Sequence, residues 1–157
     1  MEEKDNIMIK IASFSVNHDN ISEGIYISRI DGDITTYDMR FRKPNMGDYI
    51  DNITMHSLEH MFATYVRNSE IGEKIIYFGP MGCQTGFYLL VRDADNTKVL
   101  SVVKSVLESI ISHKGEIFGN TREECGNYRN LNLECAQLES ARYLKVLNSK
   151  EVDFKYE

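Results

Sequence analysis

The sequence predicts an α+β fold: a mostly antiparallel sheet with helices packed on one face, a single-domain α/β sandwich over residues 1–157. Three observations carry this. Short strand-like segments come in pairs that meet at turn signals. Three longer segments repeat apolar residues at helical spacing on one side. The chain has 157 residues and no repeat, low-complexity tract or linker, which is the length of one domain.

The elements follow in order. "GIYISRIDGDITTYDMRF", 24–41, reads as a hairpin: Ile25, Ile27 and Arg29 alternate with Tyr26, Ser28 and Ile30, and Asp31-Gly32 supplies the turn. Pro44-Asn45 and Gly47 break the chain. Asp51 or Asn52 then caps a helix to about Arg67, with Ile53, Leu58, Met61, Phe62 and Tyr65 as its apolar stripe. "KIIYFGPMGC" begins as a strand and ends in a Gly-Pro turn, and "GFYLLVR", 86–92, is the next strand. Asp95 or Asn96 opens a second helix, with Val99, Val102, Val103, Val106, Leu107, Ile110 and Ile111 on one face. A third runs from about Leu133 to Leu147 through Ala136, Leu138, Ala141, Leu144 and Val146.

Composition narrows the function classes. With 42% hydrophobic and 27% charged residues, the chain reads as an ordinary globule that needs no disulfide or metal merely to fold. A net charge of −6 and the lack of a basic stripe argue against a nucleic-acid partner; "FRK" at 41–43 is too short to count as one. "MEEKDNIMIK" does not read as a signal peptide, and "FYLLV" is far too short to span a bilayer, so no membrane role is expected. Three cysteines, an odd number without an export signal, point to reduced thiols and a cytoplasmic location.

The chemistry concentrates at "TMHSLEHMF", 54–62. His56 and His60 are four apart, about 400° of helical rotation, so both imidazoles leave one face a turn apart. Two such nitrogens can meet one ion at about 2.0–2.1 Å, with Glu59 beside them on the same face. A polar helix face carrying two histidines without a metal matches the pattern as well. A catalytic metal takes a third ligand. Cys125, in the polar turn "TREECGNYRN", suits that place, with Glu123 and Glu124 as competitors. Cys83 lies in "GPMGCQTGF", where Gly79, Gly82 and Gly86 permit a sharp turn and close backbone approach. It reads as a base, a nucleophile or a bystander in a turn. Cys135, in an apolar register, reads as buried. His18 has no partner nearby in sequence, Arg40 suits a carboxylate ligand or a salt bridge, and His113 closes the second helix.

Together these residues resemble the S-ribosylhomocysteine lyase family, the makers of the autoinducer-2 precursor. The resemblance runs from Ser13 to about Leu147. It rests on "SF" followed by His18, on "RF" with "PN" at 40–45, and on "HSLEH" at 56–60. "GPMGCQTGFY" at 79–88 and "ECGNYRN" at 124–130 complete it. It implies that His56, His60 and Cys125 bind one divalent metal per subunit, Fe2+, with Zn2+ or Co2+ able to substitute. It implies that Glu59 and Cys83 move protons, and that Ser13, His18 and Arg40 lie around the substrate. It further implies a homodimer with sites at the interface, and a metal-dependent isomerisation followed by β-elimination. The products would be homocysteine and 4,5-dihydroxy-2,3-pentanedione. Asn17 and Tyr77 depart from the family pattern, each standing where an acid is usual. The rival reading is a zinc metallopeptidase of the inverted H-x-x-E-H type, in which Glu59 activates water and a downstream glutamate is the third ligand. It leaves the Cys125 and Cys83 motifs unexplained.

Overall fold

The Asp31-Gly32 signal does make a hairpin. β1 (Gly24–Asp31) and β2 (Ile34–Arg40) pair antiparallel from Gly24↔Arg40 to Asp31↔Ile34, with Gly32 at φ 59° in the turn. This is seen in a computed structural model that describes residues 8–156. β3 (Ile75–Pro80) and β4 (Gly86–Arg92) form the second hairpin, and β4 pairs with β2. The order is β1-β2-β4-β3; the sheet is antiparallel throughout, where a mostly antiparallel one is expected.

Ahead of the sheet stands a short helix α1 (Ala12–Ser15), followed by a 3-10 turn at His18–Asn20; another 3-10 turn, Gly72–Lys74, precedes β3. All three are too short for periodicity to signal. The long helices are α2 (Asn52–Arg67), α3 (Asn96–Ile111) and α4 (Leu133–Asn148). Each begins at a side-chain cap. Asp51 accepts from Thr54 N at 2.9 Å, Asp95 from Thr97 N at 3.0 Å, and Asn132 from Cys135 N at 3.1 Å.

Period 2 sorts β2 into two faces. Tyr37 and Met39, with Phe41 just beyond, point into the core with Ile25, Phe87 and Leu89. The helices close that face with Leu58, Met61 and Phe62 of α2, Val103 and Leu107 of α3, and Ala136, Tyr143 and Leu147 of α4. Phe62, Phe78 and Phe87 stack in series at 4.4 and 4.8 Å, and Phe41 stacks on Tyr143 at 3.8 Å. Each such side chain contributes roughly 1.5–3 kcal/mol by leaving water.

The stripe expected on α4 is displaced. Leu138 is 66% exposed and Ala141 is exposed, while Glu139, Ser140 and Tyr143 are buried. The cause is polar. Arg42 grips the Glu139 carboxylate with both terminal nitrogens, Arg142 donates to Phe41 O at 2.5 Å, and the Tyr143 hydroxyl donates to Gly24 O at 2.7 Å. An apolar count cannot see a helix oriented by ion pairs. Two stripe residues at helix ends, Ile53 and Ile111, are also exposed, and Cys135 is half-buried.

Candidate metal centre and catalytic groups

α2 delivers His56 and His60 as its spacing requires, their rings 4.7 Å apart and nearly perpendicular. Each ring is oriented from behind. His56 Nδ1 lies 2.8 Å from Asn130 O, and His60 Nδ1 lies 2.8 Å from Phe118 O. A carbonyl oxygen only accepts, so Nδ1 carries the proton and the Nε2 lone pair is left for a ligand. Both carbonyls belong to the irregular segment between α3 and α4, which also carries Cys125. Its approach requires Gly119, at φ +68°: a Cβ there would meet His60 Nδ1 at 2.8 Å.

Cys125 Sγ lies 3.4 Å from His56 Nε2 and accepts from Asn127 N at 3.4 Å. One ligand atom from each of His56, His60 and Cys125 lies within 4.8 Å of the other two, and all three residues are half-buried. Two imidazoles and one thiol, with their outer hydrogen bonds in place, fit a divalent ion that keeps one position open. Among the described residues neither competing glutamate joins them. Glu124 accepts from the Thr121 hydroxyl at 2.7 Å, and Glu123 is exposed. Glu59 is half-buried on the same helix.

A second group forms on the sheet face opposite the helices. Arg40 is flanked in register by Gly24 and Gly86, and a Cβ on Gly86 would meet Met39 O at 2.1 Å. Arg40 and Asp38 are buried, at 2% and 1% exposure. Arg40 donates to Asp38 through Nε at 3.1 Å and Nη2 at 2.6 Å, and through Nη1 to Thr85 Oγ1 at 2.8 Å. Burial works against the Arg40 charge. The charge and hydrogen bonds of Asp38, with Cys83 and Tyr156 behind them, outweigh it and hold the guanidinium above its ordinary value. Thr85 Oγ1 in turn lies 3.0 Å from Cys83 Sγ.

Cys83 is exposed at the β3–β4 turn. The left-handed residue there is Gln84, at φ 63°, and not Gly82, whose added Cβ would meet nothing. Gln84 also ties the turn to the residue before the α2 cap: Ile50 N donates to Gln84 O and Gln84 Nε2 to Ile50 O, both at 2.9 Å. Gly79 serves close packing, since a Cβ there would strike the Tyr77 hydroxyl.

The remaining expected residues border this second group or stand apart. Ser13 neighbours the Tyr88 phenol, which burial and then Asp38 push above its ordinary range. His18 Nδ1 lies 2.9 Å from Val16 O, on the 3-10 turn that Asn17 caps by accepting from Asp19 N at 3.0 Å. His113 pairs with the Tyr65 hydroxyl at 2.7 Å and Glu116 O at 2.9 Å, just past the end of α3. The sequence reading missed Asp38, Thr85, Asn130, Gly119 and Tyr156. Alternation along "YDMRF" does put Asp38 on the face of Arg40; nothing local marks the other four.

The S-ribosylhomocysteinase (LuxS) family model matches residues 11–153. A protein named S-ribosylhomocysteine lyase from Borreliella burgdorferi (strain ZS7) is 42% identical over 156 residues, covering 95% of this chain and 99% of the relative. Proteins of the same name from Finegoldia magna and Clostridium acetobutylicum are 42% and 39% identical, covering 90% and 93% of this chain and 94% and 96% of theirs. Their alignments span both groups of side chains, and the chain belongs to the S-ribosylhomocysteinase (LuxS) family.

Proposed function

We propose that this chain is a carbon–sulfur lyase that cleaves S-ribosyl-L-homocysteine to homocysteine and 4,5-dihydroxy-2,3-pentanedione, the autoinducer-2 precursor. One observation carries the reading: in a chain of this family, His56, His60 and Cys125 converge within 4.8 Å with their outer hydrogen bonds made. These three would hold a divalent ion, Fe2+ with Zn2+ or Co2+ as substitutes, one per chain. Bound there, the ion supplies Lewis acidity that favours an enediolate over the neutral sugar.

The residues' work follows from the substrate. A thioether at C5 of a ribose has no acidified neighbour. Moving the carbonyl from C1 to C2 and then to C3 makes the C4 proton acidic, and the sulfur can leave by β-elimination. Every step takes a proton from one carbon or oxygen and returns it to another. Glu59 and Cys83 are assigned these transfers, a carboxylate and a thiol acting on opposite sides of the sugar. Arg40, Ser13 and His18 are assigned to holding the substrate, with Arg40 kept charged by Asp38.

A homodimer with sites at its interface is part of this proposal. Its support is the set of exposed apolar side chains Phe14, Met46, Tyr49, Ile53 and Tyr77. Phe14 adjoins Ser13, and Ile53 lies three residues before His56. No helix among the described residues is long and apolar enough to cross a membrane; we place the activity in the cytoplasm, where the cysteines would stay reduced. The test is thiol release from S-ribosylhomocysteine by protein loaded anaerobically with Fe2+ or Co2+. Stoichiometric homocysteine is the expected result; no thiol above the no-enzyme rate would reject the reading.

A further inference from the structure

Asp38 has a second hydrogen-bond partner besides Arg40. The Tyr156 hydroxyl donates to Asp38 Oδ2 at 2.6 Å, across 118 positions of sequence. Two contacts seat this tyrosine. Its ring stacks on Tyr26 at 4.9 Å and 22°, and Phe154 O just before it accepts from Ile27 N at 2.8 Å. Tyr26, Asp38 and Tyr88 stand side by side in the register of β1, β2 and β4. The C-terminal segment thus lies along the β1 edge with Phe154 in the core, and the Tyr156 side chain reaches over Tyr26 to the carboxylate that holds Arg40.

From there Arg40 links Asp38 to Thr85 by donating to both. Asp38 takes two donors from Arg40, and Arg40 gives its remaining terminal nitrogen to Thr85 Oγ1. The Thr85 hydroxyl lies 3.0 Å from Cys83 Sγ, and with Arg40 held on its oxygen it can donate to the sulfur or accept from the thiol. We propose that Tyr156 is a positioning residue for the lyase reaction: through Asp38, Arg40 and Thr85 it fixes the group that faces the Cys83 sulfur. The inference rests on the lyase reading for its kinetics but not for its thiol chemistry.

Without the hydroxyl, one Asp38 oxygen loses a fixed donor and admits water, and the guanidinium gains freedom to turn. The coupling is positional: the Tyr156 hydroxyl and Arg40 Nη2 share Asp38 Oδ2, so the phenol helps fix the carboxylate against which the guanidinium is held. Tyr156→Phe keeps the stacked ring and removes only the hydroxyl. Turnover on S-ribosylhomocysteine should fall roughly three- to tenfold. The alkylation rate of Cys83 at one fixed pH, read by mass spectrometry of its peptide, should fall by a similar factor. Metal content should stay at the parent value, and the thermal midpoint should fall by only a few degrees, because the ring contacts remain.

Thr85→Val cuts the relay downstream. The double variant Tyr156→Phe/Thr85→Val should therefore be no slower than Thr85→Val alone, in turnover and in alkylation. A Tyr156→Phe protein that alkylates and turns over like the parent would overturn the proposal. So would losses that multiply in the double variant, since Tyr156 would then act elsewhere. Failure of the lyase reading shows separately, as a parent protein that releases no thiol; the alkylation comparison still reads the relay.

Discussion

The two groups of polar side chains solve opposite problems. His56, His60 and Cys125 are half-buried, and their nearest fixed partners are neutral: two carbonyl oxygens and a backbone N–H. They are arranged to gain a charge. Arg40 and Asp38 are almost wholly buried and already neutralise one another. They are arranged to hold a charge still. The difference teaches where each group is vulnerable. The first fails when a ligand or its supporting loop is changed. The second fails when one partner is left behind without the other.

Removing a ligand should have the largest effect. Cys125→Ala should lose its metal and about a thousandfold or more of turnover, read by elemental analysis and thiol release on the same sample. Full metal content in that variant would hand the third position to Glu123 or Glu124. Glu59→Gln keeps the three proposed ligands and changes only the proposed base. It should hold stoichiometric metal and turn over roughly 10²–10⁴-fold more slowly. A variant that lost metal but recovered activity on reloading would make Glu59 a supporting group instead.

Asp38→Asn probes the other region. It leaves the buried Arg40 charge uncompensated and should cost about 3–5 kcal/mol of stability, with the metal ligands untouched. Urea unfolding reads it; a loss within about 0.5 kcal/mol, the range of an ordinary surface change, would mean that water reaches Arg40.

Asp51→Ala, at the start of α2, should cost only about 1 kcal/mol near neutral pH. Here the sign with pH is fixed. The Thr54 side chain and then its backbone N–H hold the Asp51 carboxyl below its ordinary value. The folded value therefore lies under the unfolded one, near 3.9, so the cap contributes fully above about that pH. Its contribution fades as pH falls through the folded value. The gap between parent and variant should close in acid, and a gap that widened there would contradict the cap.

The contrast also explains what could be read ahead of the structure. The hairpins and the spans of the long helices follow from local turn signals and periodicity, and so does the pairing of His56 with His60 on one face; the β2–β4 pairing that sets the sheet order does not. Cys125 was a candidate from its polar turn, but preferring it to Glu123 and Glu124 needed the resemblance, because nothing in "TREECGNYRN" says which helix the turn will meet. Glu139 and Tyr143 turned α4 away from its apolar stripe through partners about 100 positions distant, which no window spans. Tyr156 was invisible for the same reason: its one informative contact lies on β2. Short-range order is written in neighbouring residues, while buried polar pairs are written in residues that meet only after folding.

The central claim is that this lyase works through one ion held by His56, His60 and Cys125. Metal-free protein should be titrated anaerobically with Fe2+ or Co2+ while thiol release from S-ribosylhomocysteine is followed. The account predicts activity that rises linearly and breaks at one equivalent per chain. Full thiol release from the metal-free protein, or no release at any loading, would contradict it.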